Sequence, residues 1–133
     1  MINQIWINMG FIRWPISFSL LVVCILAVVS AVRLFASDAR ADQVTRAWVD
    51  AILFWGGFAM ISGILGTLVG ITIAAQSIEA AGAVSATLVW GGIKVALLSS
   101  AFGTLILAGA SLLWFGFQLR WRMLKAWEET AAG

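Results

Sequence analysis

The 133-residue sequence contains no histidine, one cysteine and little charge. Without histidine it lacks the commonest metal ligand and the commonest general base. Cys24, alone in an apolar segment, has no partner within the chain for a disulfide and reads as a small packing residue. Charged residues make up 11% of the chain, against about 25% in soluble domains. The net charge of +2 is spread over ends and links, and no basic run marks a nucleic-acid site. No stretch is left over for a soluble catalytic domain, so no enzyme and no cofactor is expected.

What fills the chain is apolar: 62% of residues are hydrophobic. Three windows carry no charge, Trp14–Val32, Ala51–Ile78 and Val95–Leu119. Each is long enough for the roughly 20 helical residues that cross a bilayer core of about 30 Å. The fold expected is an all-α membrane protein, a single domain over residues 1–133. It divides into an interfacial segment at 1–13, transmembrane helices at 14–36, 46–80 and 85–119, and a cytoplasmic tail at 120–133. The second and third helices form a long antiparallel hairpin. Excess length in the last two windows predicts tilt or projection beyond the lipid. The apolar stretch Trp14–Ala36 exceeds the 7–15-residue core of a signal peptide and reads as a retained helix.

Lys and Arg placement orients the chain. Arg33, Arg40 and Arg46 flank the first link, and Arg120, Arg122 and Lys125 lie in the tail. Those two regions lie an even number of crossings apart and share a compartment. They are placed in the cytoplasm of a bacterial inner membrane, with the N-terminus and the 79–94 turn outside. Ile2, Ile5, Trp6, Met9 and Ile12 recur at helical spacing, as in an amphipathic helix lying on the surface. Trp14, Trp48, Trp90, Trp121 and Trp127 fall near the boundaries, as an aromatic belt would. At the outer mouth, Lys94 has two readings: it snorkels to headgroups or pairs with Glu79, or it gates the entrance. Asp50 is expected to pair with Arg46, one turn earlier.

Small residues stripe both hairpin helices. On the second, Gly56, Ala59, Met60, Gly63, Gly70, Ala74 and Ser77 recur around Thr67, with Gly66 beside it; on the third, Gly92, Ala96, Ser100, Thr104 and Ala108 recur every four residues, with Gly103 alongside. Glycine costs roughly 0.5–1 kcal/mol against alanine in a helix, so its repeated use calls for a reason. Small stripes let helices approach closely in lipid. In the bland reading that is all they do, with hydroxyls satisfied by their own backbone. In the other, Thr67 and Ser100, symmetric about a turn at Gly82, lie at one depth and line a hydrated path.

The run Gly63-Ile-Leu-Gly-Thr-Leu-Val-Gly-Ile71 resembles the G-x-x-G-T-x-x-G-[IM] signature of the MotA/TolQ/ExbB proton-channel family. The run Gly92-Ile-Lys-Val-Ala-Leu-Leu-Ser-Ser-Ala-Phe-Gly103 is similar to its second signature, A-L-x-x-[TS]-x-x-G. The resemblance covers about residues 46–119. It implies a homo-oligomeric ring, commonly of five, around the helices of an ExbD/TolR/MotB-like partner whose intramembrane aspartate exchanges protons or sodium ions. It places the ion route on Thr67 and Ser100; Thr104, on the same stripe as Ser100, is a further candidate for that route. Gly63, Gly66, Gly70, Gly92, Ala96 and Gly103 would pack helices and leave room inside the ring for the partner. Relatives usually carry a large cytoplasmic insertion after the first helix; here the link is about ten residues. Position 95 is Val where ExbB- and TolQ-like members often have Glu, and position 100 is Ser rather than the commoner Thr. None of the six acids lies mid-membrane, so the titrating carboxylate would come from the partner. A scaffold protein, or a small pore or carrier, is the competing class.

Overall fold

The computed structural model describes residues 13–36, 40–82 and 85–133. The expected interfacial helix at 1–13 therefore lies almost wholly outside the described residues. Three helices follow in order: α1 (Arg13–Phe35), α2 (Gln43–Ala81) and α3 (Ala86–Ala132). All three are long and apolar enough to cross a membrane. Helix α2 starts three residues before the expected boundary. Helix α3 continues without a break through 120–132, so most of the expected tail is the last part of one 47-residue helix.

Helix α2 ends where a glycine takes over the backbone. Gly82 has φ +70°, a conformation that costs glycine least, and its N–H bonds the Ile78 carbonyl at 3.2 Å. The chain then reverses into α3, which runs back along α2; along this hairpin, outer means toward the turn and inner means away from it.

The hairpin closes at distances only glycine permits. A Cβ on Gly63 would lie 2.5 Å from the Ser99 carbonyl oxygen and 3.3 Å from the Gly103 Cα. One on Gly103 would lie 2.6 Å from the Ala59 carbonyl oxygen. Farther out, Gly70 faces Ala96 and Gly92 faces Ala74; farther in, Gly56 faces Ala110. One glycine face runs along most of the hairpin. In lipid, apolar burial gains little by transfer, so close packing of this kind holds helices together.

Helix α1 leans on the inner half of the pair. Val23 and Leu26 pack with Ile52 and Ala110, and Leu34 packs with Val49 and Trp121. Trp55 meets Phe18 edge-on at a centroid distance of 5.7 Å. The opposite face of α1, including Leu21, Ile25, Val28 and Val32, is exposed and suited to lipid.

Trp121 is not a belt residue. It is 5% exposed, and its Nε1–H donates to the Asp42 carbonyl at 3.1 Å. Arg46 and Lys125 lie over its ring at 5.1 and 5.7 Å. The inner end is also tied by the Ala41 N–H, which donates to Glu128 Oε1 at 3.0 Å. Trp14, Trp90 and Trp127 remain well exposed.

The glycine contacts predict a sharp contrast. Gly63→Ala and Gly103→Ala press a methyl onto backbone and are expected to destabilise the hairpin by about 1–3 kcal/mol. Gly91 has nothing within 4 Å of its would-be Cβ. Gly91→Ala is expected to be neutral or stabilising by up to about 1 kcal/mol. Reversible unfolding in mixed micelles measures all three; equal effects would remove the packing role.

Candidate ion pathway and hairpin site

Thr67 sits half-buried between the two hairpin helices. Its hydroxyl hydrogen is shared between two carbonyls, Gly63 on its own helix at 3.2 Å and Ala96 on α3 at 2.9 Å. The bond to Gly63 is the usual helical back-bond of threonine. The bond to Ala96 crosses between helices and is reachable because Gly63 and Gly70 bring α3 so near. With its hydrogen committed, Thr67 Oγ1 retains only acceptor capacity for water or an ion.

Ser100 is half-buried on α3, and its Cα lies opposite Gly63, one turn inward from Thr67. The two hydroxyl residues are therefore offset by up to a turn rather than level. The cause is the register: the facing pairs centre near Gly82 itself, so Thr67 meets Ala96 and Ser100 meets the Gly63 level. Thr104 is exposed and its hydroxyl bonds the Ser100 carbonyl at 2.8 Å. Among the described residues, Ser100 Oγ makes no hydrogen bond to α2.

Gly63 and Gly103 take the helix-packing part of the role implied for them. Gly63, Gly103 and Ala96 are buried in the α2–α3 contact, Gly66 is buried, and Gly70 and Gly92 are half-buried toward the turn. Neighbouring backbone already fills the space beside Gly63 and Gly103, so these two leave no room for another helix.

The expected Asp50–Arg46 pair and the Lys94–Glu79 pair, one of the readings open for Lys94, are absent among the described residues, where the one salt bridge is Lys125–Glu129 at 3.9 Å. Asp50 does not meet Arg46. Its Oδ1 accepts from Gln118 Nε2 at 2.7 Å and from Trp114 Nε1 at 3.0 Å, both on α3. A base one turn before an acid is the weaker order for such a helical pair, and Arg46 is held over Trp121 instead. Lys94 does not meet Glu79. In the observed register it lies level with residues 69–72, roughly seven to ten positions short of Glu79, or about 10–15 Å. Both side chains are exposed. The bonds of Asp50 to Trp114 and Gln118 were not anticipated; the only signal was their polarity near the inner end of an apolar helix.

An all-helical, multi-pass membrane protein is the class these elements define: a tightly packed hairpin carrying hydroxyls within the apolar span and acids only near its ends. The chain matches the MotA/TolQ/ExbB proton channel family over residues 26–125, most of its length, and it belongs to that family. No curated protein matches it. No solved structure matches it either.

The Thr67–Ala96 bond predicts a structural effect separable from any transport role. Thr67→Val keeps the shape but removes the interhelical bond, and is expected to cost about 0.5–1.5 kcal/mol of hairpin stability. Thr67→Ser retains the donor and is expected to stay within about 0.5 kcal/mol of the parent. Unfolding in mixed micelles reads both; a Thr67→Val protein as stable as the parent would show that the bond contributes nothing.

Proposed function

We propose that this chain is the channel subunit of an ion-driven motor complex in a bacterial inner membrane. Copies of it, five by resemblance to the family, form a ring around the transmembrane helices of a partner of the ExbD/TolR/MotB type. The partner supplies an aspartate, and proton or sodium flow past that aspartate does work across the cell envelope. The N-terminus and the hairpin turn face outward and the C-terminus lies in the cytoplasm.

The observation that carries this reading is the pairing of hydroxyls with a missing acid. Thr67 and Ser100 lie within one turn of each other at the positions of the family's two signatures. Between Asp50 and Glu79 on α2, and between Lys94 and Glu128 on α3, there is no carboxylate. Hydroxyls can coordinate an ion or accept from water, but they do not titrate near neutral pH. A proton relay needs a titratable group. The partner's aspartate fills that gap, with Thr67 Oγ1 and Ser100 Oγ as its ligands. The scaffold reading requires no partner carboxylate and no flux.

Ser100 gives the cleaner test, because its hydroxyl holds no bond across the hairpin. Ser100→Ala is expected to lower ion flux roughly ten- to a hundred-fold, the equivalent of losing a hydrogen bond to a charged group in the transition state. Ser100→Thr is expected to be tolerated, as is Ser17→Ala on α1. Thr67→Val is expected to reduce flux similarly and Thr67→Ser much less. The measurement is proton and sodium flux in vesicles holding the channel with the single-helix membrane protein encoded beside it. Parental flux in both Ser100→Ala and Thr67→Val, with rings intact by native mass spectrometry, would leave these positions to packing alone.

A further inference from the structure

The ring in the proposed function requires a seam between copies, and among the described residues much of α2 and α3 away from the glycine contact and from α1 is exposed. Their charges are laid out in a matching pattern. Asp50 and Glu79 are 29 positions apart on α2, which at 3.6 residues per turn puts them within about 20° of one line. Lys94 and Arg122 are 28 positions apart on α3, about 80° apart around the helix by the same count, and both lie outside the sector that touches α2. All four side chains are exposed. The side of α2 away from the glycine contact therefore has an acid near each end, and the broad side of α3 away from that contact has a base near each end. The two spacings agree to one residue, about 42–44 Å in each case.

Within one chain these charges cannot pair, because the glycine contacts set a register that holds Lys94 well inward of Glu79. Between two copies the constraint is lifted. We propose that the outer face of α2 in one copy packs antiparallel against the outer face of α3 in the next, pairing Asp50 with Arg122 and Glu79 with Lys94. This seam rests on the ring reading. Both pairs form at the same stagger, with the neighbour's α3 shifted outward by roughly seven to ten residues relative to the chain's own hairpin. Hairpins tilted in the membrane supply such a stagger. The charge-free run 51–78 calls for tilt on its own, being about 42 Å long in a core of about 30 Å.

Shape agrees with charge. The outer face of α2 has a notch of about 450 Å³ at Gly57, bounded by Asp50, Phe54, Phe58 and Ile61. Among the described residues nothing lies within 4 Å of a Cβ built on Gly57, so their packing does not explain the glycine. The stagger that pairs the charges puts Phe115 of the neighbouring copy, 63% exposed, opposite this notch. Asp50 is prepared for the contact: both donors from its own α3 bond Oδ1, leaving Oδ2 for an arginine.

The test starts from Cys24→Ser protein in membranes. Two double variants, Asp50→Cys with Arg122→Cys and Glu79→Cys with Lys94→Cys, are treated with a short bis-maleimide and run on denaturing gels. Each is expected to give a ladder from dimer upward, while the four single variants stay monomeric. In parallel, Lys94→Glu is expected to lower the ring fraction several-fold by native mass spectrometry, and adding Glu79→Lys to restore it. Intact rings with no ladder from either pair and no loss in Lys94→Glu would overturn the seam while leaving the ring. A parental protein that forms no ring would overturn the ring reading, and the seam with it.

Discussion

Backbone contact between α2 and α3 at Gly63 and Gly103 is the constraint on which the rest of the molecule depends. Each glycine lies against a carbonyl of the opposite helix where any side chain would collide. That contact cannot slide, because a shift of one residue brings Ile64 or Thr104 into a space that holds no Cβ. The register follows, and with it the partner of every other residue on the hairpin. Thr67 reaches the Ala96 carbonyl, Asp50 reaches Trp114 and Gln118, and Lys94 falls inward of Glu79. A helical pair held by larger side chains would sit farther apart, and the Thr67 hydroxyl would have only its own helix to bond.

The helices were legible because their cause is local. Charge-free windows of membrane length and the small-residue stripes are properties of the sequence alone, and α1, α2 and α3 lie where the windows predict. The turn at Gly82 was legible for the same reason, since positive φ selects glycine. What depends on contact between distant segments was not legible. Trp121 has the spacing of a belt residue, yet Leu34 and Val49 cover it. Asp50 and Arg46 have the spacing of an ion pair, yet each finds a partner on α3. Equal depth for Thr67 and Ser100 rested on a turn midpoint one to two residues from the observed one, which is enough to move a hydroxyl by up to a turn. The signatures around both residues marked the correct stretch of the hairpin; the division of labour within it, glycines toward the opposite helix and Thr67 across the contact, required the register.

The same contact bears on how such a subunit would do work. Glycine packing and the Thr67 bond join α2 to α3 along most of their shared length, and α1 is anchored to both by Val23, Leu26 and Leu34. A relative shift of α2 past α3 would break the interhelical bond and press side chains into backbone, so the hairpin has no soft internal coordinate near the candidate route. In the proposed complex, then, the change in charge on the partner's carboxylate cannot be absorbed by rearranging the hairpin around it. It acts on the placement of whole rigid subunits against the partner helix. Thr67, with its hydrogen already committed, offers that carboxylate an acceptor only. It therefore favours the protonated acid, or a carboxylate bridged by water or sodium, over a bare anion. A hydroxyl locked in this way would make the energy of the complex depend on protonation state, which is the property an ion-driven rotation or stepping motion requires.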